Sequence, residues 1–251
     1  MIEAFFFGDD GKELFGTYNA PSGLATDTLT VICPPLFAEY MSTQVALREL
    51  GISLSAAGHH VLRFDYRGTG DSAGDISDMI ASDWVDDILL TVSEGVDISG
   101  AMTVNLVGVR LGALLLCDAL PRIDNVGRVV LWDAVRDGAS YLETLRGITR
   151  RLLARNPFLR GAARNTAARD LAGQDLGERM VRELEQIGSD VFANLDGTAH
   201  EALYTDEAYA LPASVRNCTY TPFPCNWGTD SEALLMPQPV LESIRESLVN
   251  R

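Results

Sequence analysis

The chain has 251 residues, of which 47% are hydrophobic and 22% are charged, and its formal net charge is −15. This length suits one large α/β domain with a modest insertion. The negative charge argues against nucleic acid and anionic membranes as partners, because both are polyanionic surfaces that would repel the chain.

No apolar run reaches the ~18 residues that a membrane span needs, and the acidic N-terminus lacks the features of a secretory leader. The four cysteines show no C-x-x-C pairing and are expected to be free thiols in a reducing compartment. The three histidines are not spaced four residues apart on one helix face, so a zinc site is not expected. We therefore expect a cytoplasmic protein without a metal or another cofactor.

The first part of the chain alternates strands with helices. Aromatic-rich runs at 4–7 and 14–18 flank the turn GDDG and predict a β-hairpin. The elements predicted after it are, in chain order, strand 28–33, helix 43–57, strand 60–64, helix 81–94, strand 103–107, a helix to about 120 and strand 128–132. This alternation predicts a mostly parallel central sheet with helices on both faces.

The composition shifts after the sixth strand. Residues 139–188 are rich in Arg, Leu, Ala and Glu and lack strand-like runs, which indicates a small helical insertion, interpreted as a lid. Its arginine-rich first half fits a solvated helix face or an anion-binding surface. The core then comprises 1–138 and 189–251. Its second part is predicted to contain strands at 190–195 and 215–220, helix 201–210 between them, and a terminal helix at 239–249.

The stretch 102–119 passes from an apolar β-type run to an apolar helical run through the turn GVRLG, Gly108 to Gly112. Glycines two residues before and after position 110 have the spacing of the G-x-S-x-G nucleophile elbow, where they let strand and helix pack closely. Here the central residue is Arg110, which cannot attack a carbonyl but can grip a carboxylate or phosphate. An ordinary turn with Arg110 in solvent is the alternative.

Several strings in this order resemble the α/β-hydrolase superfamily, and within it the serine-aminopeptidase-like group that includes hydrolases associated with exosortase systems. The strings are FFFGDDGKELFGTYNAP, VICPPLFAEY, AAGHHVLRFDYRGTGDSAGD, LVGVRLGALLL and VVLWDAVRDGASYLETLR. The resemblance implies an α/β-hydrolase fold and, in chain order, a serine, an acid and a histidine. Some members of that group also carry arginine at the elbow.

The expected triad is incomplete in this sequence. Arg110 replaces the serine, and the loop 221–230 contains no histidine. An acid is available as Asp133, after the sixth predicted strand, or as Asp196, after the seventh. Cys225 and Trp227 are expected to line the mouth of the pocket.

Two residues offer a different nucleophile. Ser72 lies in a second G-x-S-x-G string, but too far beyond its strand to form an elbow, so a structural role is expected. Cys225 lacks an adjacent histidine and is not expected to be activated.

An oxyanion hole is still predicted from the backbone N–H groups of Leu111 and of Leu36 or Phe37. With Arg110 beside these donors, the site would be an anion trap. If an acidic side chain reaches Arg110 instead, the pair would be a structural lock that closes the site; the candidates are Asp133, Asp196 and Glu39. Both outcomes are open on the sequence alone.

Three functions follow from these alternatives. The first is a hydrolase or acyl transferase with an altered site, acting on an acyl, ester or thioester compound whose anionic group Arg110 holds. Its substrate would be a small molecule or be carried on an acyl carrier, and the resemblance implies bacterial polysaccharide or secondary metabolism. The second is an inactive pseudoenzyme that serves as a binding or scaffold protein. The third is lyase or isomerase chemistry on the same fold. A homodimer is compatible with each of them.

Overall fold

The computed structural model describes residues 2–155, 170–171, 173–206, 215–225, 227 and 234–249. Its centre is an eight-stranded sheet in the order β1-β2-β4-β3-β5-β6-β9-β10. The strands are β1 Ile2–Phe7, β2 Leu14–Asn19, β3 Thr28–Cys33, β4 His60–Phe64, β5 Thr103–Val109, β6 Val126–Trp132, β9 Ala199–Tyr204 and β10 Cys218–Tyr220. The predicted N-terminal hairpin is confirmed, because β1 and β2 pair antiparallel. From β4 to β10 all neighbouring strands pair in parallel.

Helices cover both faces of the sheet, as predicted. They are α1 Phe37–Ala56, α2 Ala81–Ser99, α3 Leu111–Ala119, α4 Gly138–Arg155, α5 Glu178–Gln186 and α6 Gln238–Val249. Helices α1 and α6 pack on one face, and α2 and α3 on the other. Strands such as β3 are buried along their whole length, which explains why they appear in the sequence as continuous apolar runs.

Helix α1 begins six residues earlier than predicted. The chain turns directly from the prolines after β3 into the helix, and Phe37 takes up this change of direction with a φ of 58°. Residues 37–40, which precede the predicted helix, therefore form its first turn. Glu39 lies in that turn, where the helix N-terminus favours a negative charge.

The assignment of the seventh strand is wrong. Residues Ser189–Leu195 form a 3₁₀ helix, and the strand is Ala199–Tyr204, where the sequence predicted a helix. Val191, Phe192 and Leu195 are buried at a helical spacing, and β9 alternates buried with less buried residues. The remainder of the predicted helix, 207–210, lies outside the described residues.

The segment between β6 and β9 contains α4, α5 and a short hairpin of β7 Asp170–Leu171 with β8 Gln174–Asp175. The described part of the predicted insertion is thus largely helical, and the division into core and lid stays a prediction. Much of the arginine-rich stretch, 156–169, lies outside the described residues. No helix in the described part of the chain is both long and apolar enough to span a bilayer.

Candidate functional site

The turn between β5 and α3 holds Arg110 in a strained conformation, with φ 54° and ψ −121°. Close packing on both sides imposes it. A Cβ at Gly108 would lie 2.5 Å from the Cα of Ala113, and one at Gly112 would lie 2.3 Å from the carbonyl oxygen of Pro34. Only glycine fits at these two positions, so the predicted elbow geometry is present.

The Arg110 side chain is buried, with 3% of the residue exposed, so the alternative of a solvated turn is wrong. Its Nε donates to Oε1 of Glu39 at 3.1 Å, and its Nη1 donates to the backbone oxygen of Asp133 at 2.8 Å. Its Cζ lies 5.1 Å from the ring centroid of Trp227, within range of a cation–π interaction. Of the three acidic residues predicted to reach Arg110, Glu39 forms the ion pair.

Glu39 is held from a second side by helix α4. Its other oxygen, Oε2, accepts a hydrogen bond of 3.1 Å from the hydroxyl of Tyr141. Burial raises the pKa of Glu39, whereas Arg110 and the hydrogen bond from Tyr141 act to lower it. The Tyr141 ring stacks on Phe37, with centroids 6.2 Å apart, and covers the pair.

The carboxylate of Asp133 is directed at other partners. Oδ1 accepts from the backbone N–H of Thr205 at 2.8 Å, and Oδ2 accepts from the Thr205 hydroxyl and from Nε1 of Trp227, each at 2.6 Å. Asp133 is fully buried and has a φ of 44°. Arg110, Glu39, Asp133, Tyr141 and Trp227 form a connected group, here called the elbow cluster.

Asp196 does not belong to the elbow cluster, and its predicted place in the site is wrong. It precedes β9 and therefore lies at the amino edge of the parallel sheet, opposite the elbow. Its side chain is 66% exposed and approaches Arg216 at 4.0 Å. The misplacement follows from assigning the seventh strand to 190–195.

Cys225 lies close to the cluster but packs among apolar side chains that include Trp132. Burial raises the pKa of its thiol to about 12, so it is protonated at neutral pH and not activated as a nucleophile. Ser72 has the predicted structural role: its hydroxyl donates to the Asp65 backbone oxygen at 2.6 Å and accepts from the Phe15 N–H at 2.8 Å.

The predicted oxyanion donors lie where two elements meet. Pro34, in the loop after β3, contacts the elbow at Gly112. Leu111 and Phe37 are each the first residue of a helix, and their backbone N–H groups have no acceptor among the described residues. A cavity of about 220 Å³ borders Leu36 and Phe37. Arg110 does not line this cavity.

The three histidines lie away from the elbow. His59 and His60 are at the start of β4, and His200 is the second residue of β9, so each lies near the amino edge of its strand. None of the three histidines is therefore placed to act as a base at Arg110. Among the described residues, no three metal-ligating side chains of the His, Cys, Asp and Glu types lie together.

Nearly the whole chain superposes on several solved structures. Est1E from Butyrivibrio proteoclasticus superposes with a TM-score of 0.64 at 17% identity, covering 98% of this chain and 97% of that one. Alpha/beta hydrolase domain-containing protein 10 from mouse gives 0.59 at 16% identity, covering 98% of both chains. The proline iminopeptidase-related protein from Thermus thermophilus gives 0.63 at 17%, covering 99% and 97%.

This chain has the α/β-hydrolase fold. The fold expectation drawn from the sequence is confirmed. No family model and no curated protein sequence matches the chain, and identities of this size establish the fold alone.

Two members of the site were missed by sequence reasoning. Thr205 directly follows β9, so a correct assignment of that strand would have placed it at the carboxyl edge beside Asp133. Tyr141 lies in the first turn of α4, inside one of the strings that carried the resemblance. The available signal was an aromatic residue, Tyr141, eight positions after Asp133, the residue that directly follows β6.

Proposed function

We propose that this chain is a non-hydrolytic protein of the α/β-hydrolase fold, a binding or scaffold protein in which the elbow cluster is a structural lock. The observation that carries the proposal is the buried ion pair between Arg110 and Glu39. A guanidinium at the nucleophile position has no atom that can form an acyl-enzyme, because it does not lose its proton at usable pH.

The position of the catalytic base supports the same conclusion. Trp227 follows the last strand and donates its indole N–H to Asp133 at 2.6 Å, while its ring faces Arg110. Acid, base position and nucleophile position thus follow one another as in a triad, here as Asp133, Trp227 and Arg110. An indole is only a donor and cannot accept a proton from a nucleophile. The arrangement keeps the order of a triad without its chemistry.

An anion-binding enzyme is the second candidate, and the unpartnered N–H groups of Leu111 and Phe37 favour it. An incoming anion would have to replace Glu39 at Arg110 and would be repelled by the nearby carboxylate of Asp133. Both steps cost free energy in a buried site, so the lock is preferred. Lyase or isomerase chemistry would also require a substrate to replace Glu39 at the Arg110 guanidinium, and it is disfavoured for the same reason.

The finer placement of the chain is also a proposal. The strings around the elbow and after β6 support membership of the exosortase-associated group, and with it a bacterial cytoplasmic role in polysaccharide or secondary metabolism. The partner of this binding or scaffold protein would then be an acyl carrier or a second copy of the chain.

Labelling with a fluorophosphonate and a burst assay with p-nitrophenyl esters test the proposal. We expect no label and no burst with the wild type or with Arg110→Ser, because the second protein still lacks a base. Arg110→Ser combined with Trp227→His restores a serine and a histidine beside Asp133 and is expected to react. A Ser72→Ala control identifies incidental labelling. A wild-type burst would overturn the proposal, and an inert double variant would contradict the placement of Trp227 at the base position.

A further inference from the structure

A cavity of about 270 Å³ lies between helix α1 and the face of strands β2 and β4. Thr17 and Arg63, which pair directly across these two strands, form its floor, and Arg48 lines it from the helix. Apolar walls come from Phe15, Ile32, Val45, Leu47 and Phe64. No member of the elbow cluster lines it, so this cavity is separate from the site described above.

The cavity is lined by a cation, Arg63. Arg63 makes no ion pair and no side-chain hydrogen bond with any described residue, and its Nε is buried and unpartnered. Burial lowers the pKa of Arg63, Tyr40 and Asp65 act to raise it, and the second positive charge of Arg48 acts to lower it. A partly buried guanidinium with no hydrogen-bonded anion is costly, which points to an anion supplied from outside the chain.

The carboxylate of Asp65 attracts the Arg63 guanidinium electrostatically but forms no ion pair with it. Oδ1 of Asp65 accepts from the hydroxyl of Tyr40, and Oδ2 accepts from the backbone N–H of Asp71 at 3.0 Å. Both oxygens are thereby engaged along the rim of the cavity. The guanidinium of Arg63 is left as a donor group with no acceptor among the described residues.

A second unpartnered group lies beside Arg63. Asn19, 1% exposed, has neither its side-chain oxygen nor its nitrogen hydrogen-bonded. It follows Thr17 by two residues on β2 and so shares its face of the sheet. A Cβ built at Gly51 would lie 3.4 Å from Nδ2 of Asn19 and 3.6 Å from Nε of Arg63, which places both groups next to the same point of α1. Asn19 is not among the residues that line the cavity, so Arg63 is the unpartnered group that a ligand there would meet.

We propose that this cavity binds a small carboxylate with an apolar body, its carboxylate on Arg63 and its body against Phe15, Val45 and Phe64. A planar carboxylate matches the paired donors of a guanidinium. Asp65 and Asp71 at the rim would repel a doubly charged phosphate more strongly than a singly charged carboxylate. The volume suits a ligand below drug size. This inference does not depend on the elbow cluster being inactive.

Binding of benzoate, followed at pH 7 in ¹H–¹⁵N correlation spectra, tests the site, with benzamide as the uncharged analogue and phenyl phosphate as the dianion. We expect benzoate to bind the wild type and to bind Arg63→Met at least about tenfold more weakly, since the charged hydrogen bonds are lost. Benzamide should bind at least about tenfold more weakly than benzoate for the same reason. Arg179→Met, on the exposed face of α5, is the matched control and should bind like the wild type.

Thermal unfolding separates a ligand site from a structural role. Removing a partly buried charge that has no hydrogen-bonded partner should leave the melting temperature of Arg63→Met unchanged or raise it, whereas removing a structural arginine would lower it. Val45→Phe narrows the cavity without changing its charge, so it tests the site independently of Arg63 and should abolish benzoate binding.

The proposal is overturned if the wild type does not bind benzoate, or if Val45→Phe binds it as the wild type does. Unchanged binding by a folded Arg63→Met, or its marked loss of stability, would also overturn it. Tighter binding of phenyl phosphate than of benzoate would overturn the assignment of a carboxylate ligand.

Discussion

Glu39→Gln removes the charge of Glu39 and keeps its shape, and so tests the ion pair of the elbow cluster. Nε of Arg110 and Oε1 of Glu39 are 3.1 Å apart, and the two side chains are only 4% and 7% exposed. Water therefore screens the pair little. Because Arg110 cannot give up its proton, the variant leaves an uncompensated buried charge, which costs about 3–5 kcal/mol of unfolding free energy.

The double variant Arg110→Met with Glu39→Gln removes both charges and keeps the hydrogen bond from Tyr141 available. Replacing a buried pair by neutral groups often changes stability little, so the double variant should recover about 2 kcal/mol or more of unfolding free energy relative to Glu39→Gln alone.

Arg110→Met alone leaves Glu39 in a buried site, where burial raises its pKa. A carboxyl whose folded pKa is raised stabilises the fold below its unfolded pKa and loses that contribution as pH rises. The single variant should therefore lose stability between pH 5 and pH 8 more than the wild type does.

Urea unfolding at pH 7, monitored by circular dichroism and tryptophan fluorescence, measures these differences. Glu143→Gln is the matched control, because Glu143 pairs with Arg146 on the exposed face of α4, and no measurable change is expected there. The reasoning is refuted if Glu39→Gln costs less than about 1 kcal/mol, or if the effects of Glu39→Gln and Arg110→Met simply add.

Two further predictions concern the surroundings of the elbow. Native Cys225 should resist iodoacetamide at pH 8, because a pKa of about 12 leaves roughly one thiol in ten thousand ionised. Its rate of reaction should rise about tenfold per pH unit up to that value. Exposed Cys218 is the internal control in peptide mapping, and equal labelling of the two cysteines would contradict the buried placement of Cys225. Gly112→Ala should lower the melting temperature strongly, because the new Cβ would clash with the carbonyl oxygen of Pro34. Gly147→Ala is the control: its Cβ in α4 would have its nearest neighbour at 3.7 Å, so this variant should raise stability by about 0.5–1 kcal/mol. An unchanged melting temperature of Gly112→Ala would show that the elbow is not tightly packed.

The fold was predictable because its signals are local. Buried parallel strands such as β3 are continuous apolar runs, and the glycine spacing around Arg110 follows from close strand–helix packing. Strand β9 was not found, because its residues alternate only weakly and the preceding 3₁₀ helix is the more apolar segment. That single error added Asp196 to Asp133 as a candidate acid and concealed Thr205.

The partner of Arg110 could not be chosen from the sequence. Glu39 is separated from Arg110 by 71 positions, and it reaches the elbow only because α1 begins at Phe37. Tyr141 comes from a helix after the next strand. Arg63 shows the same limit, since a charged residue within the strand HVLRF indicates an unusual position but does not reveal a cavity beneath α1. Contacts between distant segments depend on packing that no local pattern records.

The structural lock requires that Glu39 binds the guanidinium of Arg110 inside the protein and keeps it closed to ligands. The arginine Nε–H signals in ¹H–¹⁵N spectra at pH 7 test this directly, with the Arg110 signal identified by its loss in Arg110→Met. We predict a resolved Arg110 signal that exchanges with water at least about tenfold more slowly than the signals of exposed arginines, and that does not shift when acetate is added. A rapidly exchanging signal, or one that shifts as acetate binds, would contradict the lock and favour the anion trap.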